Sequence, residues 1–185
     1  MEQARNPHIF RLLSITILFF AGLAYGAIAM SSGNLFWFLS NAELSEPTRI
    51  LIIDHGETTV ITPEDIRFAA LSEAVAESVS NIDNNDLIQI GLSDITLEDY
   101  RTNSVVMEIH YPRPISFNTP FRAGNPTKLL IPIEGRHAGT GVFFRGQRED
   151  WWFGGMRMAD PTILDEALLE IGYSISVGQD RANNS

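Results

Sequence analysis

At 185 residues the chain is long enough for one domain with a real hydrophobic core plus an appendage. It has no cysteine, which excludes disulfides, thiolate zinc centres and cysteine nucleophiles. A formal net charge of −10 argues against nonspecific nucleic-acid binding, which depends on many uncompensated Lys and Arg side chains. The charge is also uneven. From Glu43 to Glu108 fourteen acidic residues face only Arg49, Arg67 and Arg101, whereas from Arg113 to Arg157 seven basic residues face only Glu134, Glu149 and Asp150.

Residues 1–11 form a short head carrying Arg5 and Arg11. The uncharged run Leu12 to Met30 follows, and as a helix its 19 residues reach about 28 Å, close to the hydrocarbon thickness of a bilayer. A single transmembrane helix over 12–30 is therefore predicted. The basic head places the N-terminus in the cytoplasm and the remaining chain outside. A signal peptide has the same charge pattern, and Ala27-Ile28-Ala29 is an acceptable cleavage site, so secretion after cleavage is the alternative. Leu35 to Leu39 (LFWFL) favours a retained signal-anchor, since aromatic residues gather at the membrane interface. Gly22 and Gly26 form a G-x-x-x-G pair of the kind that lets membrane helices approach, so a homodimer through them is a further expectation.

Residues 31–47 read as a juxtamembrane segment and linker ending at Pro47, and the exported domain is expected over 48–177. Ile50 to Ile53 is a buried strand, Asp54 to Glu57 a turn, and Thr58 to Ile61 a returning strand. Thr62-Pro63-Glu64-Asp65 carries a helix start, and Phe68, Leu71, Val75, Val79 and Ile82 make one apolar stripe. Asn81 to Asp86 breaks the helix, Leu87 to Leu92 reads as a strand, and Ser93 to Asn103 as irregular or a short helical turn. From Ser104 the alternation is clear: Val105, Met107, Ile109 and Tyr111 face one side of a sheet, and Val106, Glu108 and His110 a wetter side.

Four prolines between Pro112 and Pro126 mark a long loop. Lys128 to Ile133 resumes as a strand, placed at a sheet edge by Pro132. Gly135 to Gly141 is a hairpin loop, and Val142 to Gln147 and Asp150 to Phe153 are two more strands. Asp160-Pro161 opens a last helix with Leu164, Ala167, Leu168 and Ile171 as its apolar face and Gly172 as its close. Residues 178–185 read as a disordered tail. The order predicts an α+β fold, a mostly antiparallel sheet with two helices packed on one face.

No sequence motif specifies a reaction. There is no G-x-S-x-G, no phosphate loop with its lysine, and no histidine spacing suited to a metal. No catalytic residue, metal or cofactor is therefore expected. The densest candidate for ligand or partner binding is Arg136, His137, Arg145, Arg148 and Trp152, cations set among aromatics and glycines. Strand parity puts Trp151 and Phe153 on one face and Trp152 on the other beside Asp150, so one tryptophan is core and Trp152 is the one near solvent, free to stack on a sugar, an aromatic side chain or a guanidinium. The functional expectation is an interaction or accessory module of a membrane or envelope complex, with an envelope protein as partner. A binding domain for an anionic small molecule or envelope glycan is the alternative, and an exported hydrolase a third.

Overall fold

The computed structural model describes residues 7–32 and 44–174. The aromatic run Leu35 to Leu39, most of the linker and the 178–185 tail lie outside the described residues. Residues Pro7–Ser32 form one helix, α1. Within it His8–Ser31 is a 24-residue stretch apolar and long enough to cross a membrane, and Leu12, Leu18 and Phe20 are among its exposed side chains. Ser14 and Thr16 return their hydroxyl protons to the carbonyls of Phe10 and Leu12, so these polar groups leave no unpaired donor along the run.

The remaining described chain is an α+β unit with a mostly antiparallel sheet. Its strands are β1 (Arg49–Asp54), β2 (Glu57–Ile61), β3 (Val105–His110), β4 (Lys128–Pro132), β5 (Val142–Gln147), β6 (Asp150–Trp151) and β7 (Met156–Arg157). They run in the order β2-β1-β3-β4-β5-β6, with β7 also on β5. Three helices accompany them: α2 (Phe68–Ser80), α3 (Asp94–Thr102) and α4 (Thr162–Glu170).

Strand alternation divides the side chains between two cores. On the first face Ile50, Ile52, Met107, Ile109, Leu129, Ile131 and Phe143 meet Phe68, Leu71, Val75 and Val79 of α2 and Leu164 and Leu168 of α4. Each fully buried aliphatic or aromatic side chain here contributes about 1.5–3 kcal/mol of transfer free energy. On the second face Ile53, Val106, Leu130, Val142 and Phe144 gather beneath Tyr100 of α3, with Ile88, Ile90, Leu92, Leu97 and Trp151 at the margin.

Several local expectations change. Within Ser93 to Asn103, Asp94–Thr102 is a true helix, and Ser93 Oγ caps it by accepting from the Thr96 amide at 3.2 Å. Leu87 to Leu92 is not a strand; its backbone meets the segment before β7 through a bridge between Ile88 and Gly155 and a bond from the Gly154 amide to the Ile90 carbonyl. Thr62 does not start α2, since 62–67 makes a separate turn and the helix begins at Phe68 without a side-chain cap. The strand at Asp150 ends at Trp151, two residues short, and Phe153 turns outward to 63% exposure.

Pro132 does not mark an edge. β4 lies inside the sheet, and the proline is tolerated because it is the last residue of the strand, two beyond Leu130, where pairing with β5 stops. At the end of α4, Gly172 adopts φ +96 and the amide of Tyr173 bonds the carbonyl of Leu168 at 2.9 Å, a glycine close of the expected kind.

Candidate functional site

Arg145 belongs to β5 opposite Leu129 and is only 2% exposed. Its guanidinium donates to the carbonyl of Ala123 in the long loop, and through Nη2 to those of Gly154 at 3.1 Å and Phe153 at 3.4 Å. Burial pulls its pKa down to about 10. Carbonyl dipoles, rather than a carboxylate, hold the charge, so the side chain pins two surface loops to the sheet. Trp152 lies above it, with its ring centroid 5.8 Å from the guanidinium carbon and its edge packed on Gly124. Any side chain at 124 would strike this indole, and the residue's φ of +75 also favours glycine.

Arg136 and His137 occupy the loop between β4 and β5. The hydroxyl of Tyr100 reaches the carbonyl of Arg136 at 2.7 Å and Nδ1 of His137 at 2.8 Å. His137 packs edge-on to Phe144, 5.6 Å between centroids, and takes a left-handed φ of +68. Burial first, and then the Arg136 charge, lower its pKa. Arg148 stands exposed in the turn from β5 to β6, with φ +53.

The five residues therefore do not share one surface. Arg136 and His137 flank Tyr100 at the start of β5, Arg148 follows its end, and Arg145 and Trp152 sit together toward the opposite face. β5 has six residues, about 20 Å of strand, and successive side chains alternate across it. Trp151 and Trp152 do lie on opposite faces, but both are half-buried, and Phe153 is not in the core.

A different set of polar side chains converges on the second sheet face, at the end where β3 finishes and β4 begins. Cross-strand register aligns Arg49, His110, Lys128, Gly146 and Trp151 in one row, with Glu108 in the next. Lys128 is only 6% exposed, and its ammonium lies 4.1 Å from the centroid of the Trp151 ring. Gly146 makes the contact possible, because a Cβ there would come within 2.8 Å of both side chains. Burial lowers the pKa of Lys128, opposed by Glu108, Glu149 and Asp150. No carboxylate among the described residues lies within 4 Å of this ammonium. His110 Nε2 is 3.4 Å from Glu108 Oε2 and is buried without a hydrogen-bond partner.

Sequence reasoning placed Glu108 and His110 on the wetter side of β3 but did not bring Lys128 to them. The missing signal was the pairing of β4 with β3, which nothing local encodes. Among the described residues no group of three His, Asp or Glu side chains could hold a metal ion. No family model, no curated protein and no solved structure matches this chain.

Proposed function

We propose that this is a single-pass membrane protein, with its N-terminus cytoplasmic and its α+β domain extracytoplasmic, that serves as an interaction or accessory module of a membrane or envelope complex. The observation that carries this reading is α1. Its 24-residue apolar stretch spans about 36 Å as a helix, enough for the roughly 30 Å hydrocarbon layer, and its large side chains are exposed rather than packed on the domain. Arg11 at the head and the absence of further basic residues before Arg49 support the orientation. Photo-crosslinking from positions 148 and 152 in intact membranes tests the module. A discrete adduct from one of them supports it, and uniform nonspecific adducts at every position count against it. Comparing the mature mass with the full chain tests the anchor, since signal-peptide cleavage removes about 3 kDa.

A second reading, binding of a small polar ligand or envelope glycan, is favoured by one observation. Lys128, Glu108 and His110 meet beside Trp151 with their polar groups incompletely satisfied by the protein. Arg145 is not part of it: its Nη1 and Nη2 donate to backbone carbonyls, its Nε is buried without a partner, and it lies toward the other face of β5.

A further inference from the structure

We propose that the end of the second sheet face formed by Glu108, His110, Lys128 and Trp151 is a binding site for a neutral sugar unit of a glycan. It rests on the ligand-binding reading above and moves the ligand away from Arg136 and Arg148. The choice of ligand follows from what each side chain lacks. Lys128 offers N–H donors, and no hydrogen bond or ion pair among the described residues takes them; its ammonium rests on the face of Trp151. Glu108 offers acceptor oxygens, one of them 3.4 Å from a His110 nitrogen that is itself buried and unpartnered.

A simple anion would satisfy Lys128 but meet Glu108, Glu149 and Asp150, all close enough to act on the lysine charge. A simple cation would meet Lys128 and Arg101, which opposes the lysine charge from α3. A hydroxyl group accepts from the ammonium and donates to the carboxylate at once, so a polyol answers both demands without adding charge. Trp151, half-buried at the margin of the apolar cluster formed with Leu130 and Phe144, supplies an aromatic wall for the C–H surface of a sugar ring. Ile88, Ile90, Leu92 and Leu97 form the rest of that margin.

The test is isothermal titration calorimetry on the full chain in lipid nanodiscs. The titrants are tetra-N-acetylchitotetraose, cellotetraose and maltotetraose, with tetragalacturonate and inorganic phosphate as anionic counterparts. Saturable binding of at least one neutral oligosaccharide is expected. It should weaken about tenfold or more in both Lys128→Met and Glu108→Gln, as for loss of a hydrogen bond to a charged group. Glu108→Gln preserves side-chain shape and carries the test alone if Lys128→Met fails to fold. No binding by any neutral oligosaccharide overturns the proposal, as does binding of the anions only with Glu108→Gln unimpaired. Neutral-sugar binding that survives both substitutions but is lost in Arg136→Ala or Arg148→Ala overturns this site while leaving the glycan reading standing.

Discussion

The hydroxyl of Tyr100 stands between two acceptor-capable groups, 2.7 Å from the Arg136 carbonyl and 2.8 Å from His137 Nδ1. A phenol has one proton, and the carbonyl can only accept, so Nδ1 of His137 is the donor in the second contact. This bond pair ties α3, a short helix on the second sheet face, to the glycine-rich loop between β4 and β5. Tyr100→Phe leaves both partners without a bond in a site where the tyrosine is 1% exposed. We expect it to destabilise the domain by about 1–3 kcal/mol in urea unfolding. A variant within a few tenths of wild type would show that the tie is not stabilising.

Two histidines have their pKa values moved in opposite directions. His137 has its pKa lowered from 6.5 by burial, whereas exposed His55 has its own raised from 6.5 by the 2.7 Å hydrogen bond to Asp54. The signs differ in consequence. His137 favours the folded state above about pH 6.5 and loses that contribution as pH falls through its folded value, while His55 favours it below about 6.5 and loses its contribution as pH rises through its own. Histidine ring titration by NMR should find His137 below 6.5 and His55 above it; the reverse order would refute both assignments.

Asp65 accepts from the Arg67 amide at 2.9 Å, from its Nε at 2.9 Å and from Nη2 at 2.6 Å, closing the turn ahead of α2. The hydrogen bonds from Arg67 lower its pKa from 3.8 to about 2. The carboxylate therefore supports the fold above about pH 3.8 and ceases to do so as pH falls toward 2. A carboxyl NMR titration should show Asp65 among the last acids to protonate, and Asp65→Asn should remove that late step.

Arg145 carries a charge away from water, its Nη1 and Nη2 held by backbone carbonyls beneath the Trp152 ring. Truncation in Arg145→Ala strands those carbonyls and frees the loops holding Ala123 and Gly154, at an expected cost of about 3 kcal/mol or more. Arg145→Lys should not restore stability, because an ammonium cannot replace a planar fork spanning two segments. Urea unfolding of the two variants measures this, and full rescue by lysine would contradict the bonding described.

Gly146 is the second tight spot on β5. A methyl group there would run into the carbonyl of Asp150 and come within 2.8 Å of Lys128 Cε and Trp151 Cε3. Gly146→Ala is expected to cost about 1–3 kcal/mol through overpacking. It should also shift the fluorescence of Trp151; an unperturbed spectrum with wild-type stability would mean that the Lys128–Trp151 contact is not held as described.

Much of the local structure follows from the order of residues alone. The apolar stretch before Met30 can only be a long apolar helix, because it is uncharged, free of proline and longer than a globular strand. β3 shows its two faces through the strict alternation of Val105, Met107 and Ile109 with Val106, Glu108 and His110. Gly172 closes α4 because only a glycine takes its positive φ without strain. Function-bearing geometry was less legible. Arg145 and Arg148 look equivalent in sequence, yet one is buried under loops that begin 22 residues earlier and the other is exposed.

Strand pairing decided that difference, and it also brought Lys128 beside His110 and Trp151, 18 and 23 residues away, through register across three neighbouring pairs. The sequence by itself determined which segments are apolar, which alternate and where helices stop, since those depend on neighbours a few residues apart. Only the tertiary structure decided which charges face water, which are held by carbonyls and which meet across strands, because those outcomes depend on contacts between residues distant along the chain.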